Sequence, residues 1–122
     1  MSYRTLGDLG GAPKKVEENY IQVPEISTID DKKALIANNK IVVIDVYADW
    51  CGPCQAMIPV FANLYLKYKD ICVLVKENVD LRLSPSVTVV PTFLIYIDGA
   101  MKHQVVNNID EVERIIKKTL NL

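Results

Sequence analysis

Ile41-Val42-Val43-Ile44-Asp45-Val46-Tyr47-Ala48-Asp49-Trp50-Cys51-Gly52-Pro53-Cys54 passes from one structural pattern to another within fourteen residues. Its opening run to Tyr47 is β-branched and apolar apart from Asp45, which predicts a central strand covered on both faces. Asp45 is the anomaly in that run, because an ionised carboxylate in an apolar strand is costly. Beyond Cys51 the pattern turns helical. Met57, Val60, Phe61, Leu64 and Tyr68 give a helix reaching about Lys69 a buried face, and Pro59 inside it is expected to kink it. Cys51 therefore stands at a helix mouth, where unpaired N–H groups and the helix dipole favour a thiolate. Cys54, one turn along, lies on the same side and within disulfide reach. Disulfide exchange needs such a pair, one thiol to attack and a second to release the mixed disulfide. Gly52 lets backbone come close to the sulfur, and Pro53 suits a first turn, where its missing N–H costs nothing.

Working outward, Met1 to Glu18 contains Gly7, Gly10, Gly11 and Pro13 and reads as a mobile tail, leaving residues 19–122 as one domain. A short strand is expected over Tyr20 to Val23, ended by Pro24. A helix follows over Ile29 to Asn38, capped by Ser27 or Thr28, with Asp30 and Asp31 near its positive end. Ile71 to Val75 reads as a strand, and Leu81 to Ser86 has room for at most one helical turn. Thr92 to Ile97 and about Met101 to Val106 form a hairpin around Asp98-Gly99. Asn108 with Glu111 resembles a capping box opening a final helix, with Ile109, Val112, Ile115, Ile116 and Leu120 on one face. The order β-α-β-α-β, hairpin, helix gives an α/β fold.

The 122 residues fit one compact domain. Fourteen basic against fifteen acidic residues leave a net charge of −1, with no basic cluster to suggest nucleic acid. No apolar stretch is long enough to span a bilayer, and Met1 to Lys15 lacks the apolar core of a secretory signal. A cytoplasmic, reducing compartment and no membrane partner are expected. Three cysteines have the wrong parity for a disulfide scaffold. A structural zinc site needs four ligands. Cys51, Cys54, Cys72 and His103 are the candidates, with no second Cys-x-x-Cys or His pair, so no metal is expected. A purely structural cysteine pair leaves Trp50, Gly52 and Pro53 unexplained. Cys72, in a strand interior, reads as inert.

Ala48-Asp49-Trp50-Cys51-Gly52-Pro53-Cys54 resembles the thioredoxin signature, and the similarity extends from about Tyr20 to Leu120. Asp45 falls where thioredoxins carry a buried acid, Pro59 where their active-site helix kinks, and Gly99 at the last hairpin turn. Val90-Pro91-Thr92 matches the loop whose proline is cis in the family. The resemblance implies a thioredoxin fold: a central mixed sheet of three parallel-type strands plus a C-terminal antiparallel hairpin, flanked by helices. It also implies a protein-disulfide reductase with a redox-active Cys51–Cys54 centre, serving electron transport and cell redox homeostasis. Cys51 is then the nucleophile, Cys54 the resolving thiol, Asp45 the proton acceptor for Cys54, and Lys76 a possible partner of Asp45. Trp50, Gly52, Pro53, Val89, Val90, Pro91 and Asn107 are the implied substrate-binding residues.

By the same resemblance the protein binds no cofactor. Protein disulfides are its substrates, a thioredoxin reductase drawing on NADPH restores the dithiol, and a monomer is expected. Three departures stand out: Gln55 where the family has a base, Asn107 where it has a glycine lining the groove, and a shortened 81–90 segment. Two alternatives stay open, a disulfide oxidase or isomerase, and a thioredoxin-like adaptor for one partner.

Overall fold

The computed structural model describes residues 22–122. The elements run β1 (Glu25–Ile26), α1 (Ile29–Asn38), β2 (Ile41–Tyr47), α2 (Gly52–Tyr68), β3 (Val73–Asn78), a 3-10 turn (Val79–Leu81), β4 (Thr92–Ile97), β5 (Ala100–Val106) and α3 (Ile109–Leu120). The strands form one sheet in the order β1-β3-β2-β4-β5. β1, β3 and β2 are mutually parallel, whereas β4 and β5 run antiparallel, as the mixed-sheet expectation had it. Among the described residues no helix is long and apolar enough to cross a membrane.

β2 is the middle strand, and Ile41 to Val46 are all buried. Alternate residues of a strand point to opposite faces. Ile41 and Val43 pack with Phe61, Leu64 and Tyr68 of α2 and with Val112, Ile115 and Ile116 of α3. Val42, Ile44 and Val46 pack with Ile26, Val75, Val87 and Leu94 on the other face, against Leu35 of α1. Asp45 shares the parity of Val43, so it faces the α2 side.

Several boundaries move. The mobile tail expected over Met1 to Glu18, together with Tyr20 and Ile21, lies outside the described residues. Gln22 and Val23 are not in a strand; β1 begins after Pro24 instead of ending at it. A proline is tolerated at the entry of an edge strand, where its missing N–H breaks no ladder bond, and here the Pro24 carbonyl accepts from Lys76 N–H at 2.9 Å. The expected strand Ile71–Val75 starts only at Val73, because the N–H groups of Ile71 and Cys72 both return to Tyr68 O and close the end of α2. It runs on through Lys76 and Glu77, polar residues paired on both sides, to Asn78, which pairs with β2 alone. Val60 is 42% exposed and leaves the buried face of α2. Adjacent helical residues lie about 100° apart, and Phe61 is the one turned inward.

Thr28 and not Ser27 caps α1, its hydroxyl accepting from Asp31 N–H at 3.1 Å. At α3 only half of a capping box forms. Asn108 Oδ1 accepts from Glu111 N–H at 3.2 Å, while the Glu111 carboxylate turns to Arg114, at 2.9 and 2.5 Å. The hairpin turn places Asp98 at φ 53° and Gly99 at φ 85°, the left-handed pair that a two-residue turn requires.

Candidate active site

β2 ends at the core, and the chain passes through Ala48, Asp49 and Trp50 into α2. Cys51 is the N-cap of that helix, and its sulfur accepts from Cys54 N–H at 3.2 Å. The two cysteines form a disulfide, with Cα atoms 5.2 Å apart. Pro53 sits in the first turn, and α2 continues through Pro59 as one helix. A Cβ added to Gly52 would meet nothing within 4 Å, so its small size serves no packing within this chain. The Gln55 side chain donates to Asp49 O at 3.1 Å, tying the first turn of α2 to the loop before it.

The cysteine residues are only 6% and 4% exposed, and they open in different directions. Cys51 lines an apolar groove with Trp50, Val87, Val89 and Val90. Trp50 is 71% exposed, so it is no core residue, and Val89 is half-exposed beside it. The Val90–Pro91 peptide is cis, and Val90 O lies 3.6 Å from Cys51 Sγ. In the disulfide that sulfur has no proton to donate, so this is a contact and not a hydrogen bond. Thr92 Oγ1 donates to Val89 O at 2.6 Å and steadies the same loop.

Cys54 lines a second cleft of about 530 Å³ with Asp45, Tyr47, Asp49 and Lys76. Asp45 is 5% exposed, and its Oδ1 has no hydrogen-bond partner among the described residues. Burial pushes its carboxyl up to about 7, against a downward pull from the Lys76 charge. Lys76 is Asp45's register partner on β3. Its ammonium lies 4.9 Å from the Tyr47 ring centroid, a cation–π contact. The Tyr47 hydroxyl donates to the Glu25 carboxylate. Burial and that carboxylate both hold the phenol protonated. The fold thus brings Asp45, Lys76 and Cys54 to one cleft, and Trp50, Gly52, Pro53, Val89 and Val90 to one groove.

Asn107 stands apart from both. It packs its backbone against the loop, Asn107 N–H donating to Pro91 O at 3.0 Å, at φ 47°. That left-handed backbone suits glycine, and asparagine is among the few other residues that adopt it readily. Cys72 is buried at the opposite end of β2, among Asn39, Lys40 and Ile41, and burial pushes its thiol up to about 11. Among the described residues no three His, Cys, Asp or Glu side chains converge as metal ligands.

Sequence reading did not single out Tyr47 or Glu25 in the cleft, nor Val79 and Val87 in the groove wall. Tyr47 had a signal: two residues after Asp45, it must share that face of the strand. Glu25 reaches the cleft only through the parallel pairing of β1 with β3, which no local pattern discloses.

Comparison with known proteins agrees with this geometry. The family model described as Thioredoxin matches residues 23–120. Thioredoxin of Coprinus comatus is 34% identical over 104 residues, covering 80% of this chain and 98% of that protein. Thioredoxin-T of Drosophila melanogaster is 36% identical over 93 residues, covering 72% of this chain but only 59% of that longer relative. Among solved structures, mitochondrial thioredoxin 3 from Saccharomyces cerevisiae in its oxidised form superposes with a TM-score of 0.69 at 34% identity. It covers 79% of this chain and 94% of its own.

Proposed function

The chain belongs to the thioredoxin family of thiol–disulfide oxidoreductases, and from that premise we propose that Cys51 is the attacking thiol and Cys54 the resolving one. The Cys51 thiolate attacks one sulfur of a target protein disulfide, forms a mixed disulfide and releases the first target thiol. Cys54, losing its proton toward the Asp45 carboxylate, then attacks Cys51 Sγ. The Cys51–Cys54 bond forms, the mixed disulfide breaks, and the second target thiol leaves. Two electrons pass to the target, and two protons balance its thiols.

The single observation that carries this reading is the division of the disulfide between two environments. Cys51 faces an apolar groove where a partner can sit, and Cys54 faces a cleft holding a carboxylate whose proton affinity lies in the working range. Helix N–H groups favour the Cys51 thiolate. Trp50, Val89 and Val90 contact the partner. Gly52 and Pro53 leave room for its backbone, and the Val90 carbonyl pairs with an extended segment in strand fashion. Pro91 shapes that loop, Asn107 supports it from behind, and Lys76 tempers Asp45.

The domain spans residues 19–122, a range that contains the family match over 23–120. It acts as a monomer and binds no cofactor. A thioredoxin reductase using NADPH returns the electrons, so the protein carries electrons in cell redox homeostasis. A free buried Cys72 in the same chain as the exchanging pair fits a reducing compartment such as the cytoplasm. The resemblance to a mitochondrial thioredoxin makes import the competing outcome, which cell fractionation decides.

Insulin reduction with dithiothreitol tests the chemistry. Cys51→Ser should abolish turnover, and Cys54→Ser should accumulate mixed disulfides visible on non-reducing gels. Full activity of Cys51→Ser would overturn the assignment. An adaptor would bind its partners equally with and without the Cys51 sulfur.

A further inference from the structure

Lys32 of α1 is 4% exposed, although lysine is almost never fully buried unless paired. Its ammonium lies 3.0 Å from Glu77 Oε1, on a strand residue that is completely buried. That contact is poorly aligned for a hydrogen bond, and the Glu77 oxygens accept none among the described residues, so the attraction is Coulombic. The N–H donors go elsewhere. Lys32 Nζ donates to Leu83 O at 3.0 Å and to the Ser84 hydroxyl. Both belong to residues 82–91, which contain no helix or strand. Backbone bonds hold its two ends, Arg82 N–H to Val79 O at 3.0 Å and Asn107 N–H to Pro91 O at 3.0 Å; between them, apart from the turn bond Val87 N–H to Ser84 O at 3.1 Å, the hydrogen bonds that hold it involve side chains. At its far end stand Val89 and Val90, the wall of the groove beside Cys51.

We propose that Lys32 is a positioning residue for substrate recognition. Held by Glu77, it fixes Leu83 and Ser84 and thereby the segment that presents Val89 and the Val90 carbonyl to a protein disulfide. An irregular segment ordered only on binding would lose affinity to its own ordering. A buried cation donating to a backbone carbonyl and a hydroxyl anchors it beforehand, from the sheet face opposite α2. Fold stabilisation alone would use an apolar pair in this place as well or better. The inference rests on the reading of Cys51 as the attacking thiol and of the groove as the partner's seat.

The test compares two disulfides. Pre-reduced protein is oxidised by insulin, whose backbone can pair with the loop, and by hydroxyethyl disulfide, which has no backbone. The reaction is followed by the fluorescence of Trp50, the chain's single tryptophan. Lys32→Leu/Glu77→Leu removes both charges and keeps apolar bulk. Its second-order rate constant with insulin should fall about tenfold while that with hydroxyethyl disulfide stays within about twofold, the loss of charged hydrogen bonds being felt only by the loop-dependent substrate. Ser84→Ala, which keeps the ion pair, should show the same selectivity at about threefold, and it carries the test alone if the double variant does not fold. Equal losses on both substrates, or none on either, overturn the proposal. A wild-type protein that oxidises with neither substrate would overturn the proposed function instead.

Discussion

Two carboxylates lie buried in adjacent strands of one sheet, and they are treated oppositely. Asp45 of β2 pairs in register with Lys76, and the next residue of β3, Glu77, pairs with Val46. The pleat sends Asp45 to the α2 face and Glu77 to the α1 face. Glu77, at zero exposure, meets the Lys32 ammonium at 3.0 Å. Asp45 has a cation nearby but no ion pair among the described residues, and Lys76 leans over the Tyr47 ring. The paired carboxylate serves architecture, joining β3 to α1. One left in a polar cleft without a partner has its proton affinity raised by burial, which suits it to proton transfer.

The comparison is most easily broken at Lys32. Lys32→Met strands the Glu77 charge without a partner, and thermal unfolding should show a loss of about 3–5 kcal/mol. Replacing both residues with leucine should restore most of it, since an apolar pair avoids the desolvation cost.

Asp45 should behave in the reverse sense. Its affinity for a proton is higher in the folded chain than in the unfolded one, up to about 7 against an ordinary 3.8. The stability this contributes is complete below pH about 4 and is lost as pH rises through 7. Asp45→Ala removes a charge that the fold disfavours. The variant should gain roughly 4 kcal/mol at pH 8 relative to its difference from wild type at pH 4, read from denaturant titrations. The same variant should resolve mixed disulfides about tenfold more slowly near pH 7, with the difference shrinking at alkaline pH as Cys54 deprotonates unaided. A variant neither stabilised at pH 8 nor slowed at pH 7 would remove the distinction between the two carboxylates.

The smallest expected effect sharpens the picture. Lys76→Met removes the charge that pulls Asp45 downward, so the Asp45 titration followed by NMR should move to higher pH. No movement would mean that the Tyr47 ring has already taken Lys76 out of play.

Asp45 and the cysteine pair were legible because their signals are local. A single acid in a β-branched run and two thiols at a helix mouth need no knowledge of distant contacts. The strand after Pro24 was not, since a two-residue edge strand is defined by its partner β3 and not by its own pattern. Glu77 lies beyond the expected strand end at Val75, and neither it nor Lys32 was singled out, since nothing in the local pattern marks either for burial. Their meeting depends on α1 covering the sheet beside a shortened 81–90 segment, a tertiary fact with no sequence period. Asn107 was read as a groove-lining residue standing where the family has a glycine. Its left-handed φ shows why asparagine stands there, and its position behind Pro91 takes it off the wall beside Cys51.

The two openings of the disulfide also carry a consequence for traffic. A partner docked over Trp50 and Val89 covers the Cys51 side and leaves the Asp45 cleft, on the Cys54 side, facing solvent. Under the mechanism proposed above, sulfur exchange and proton exit use separate doors. A large client blocks the first while the second stays open, so the resolving step is indifferent to the client's bulk.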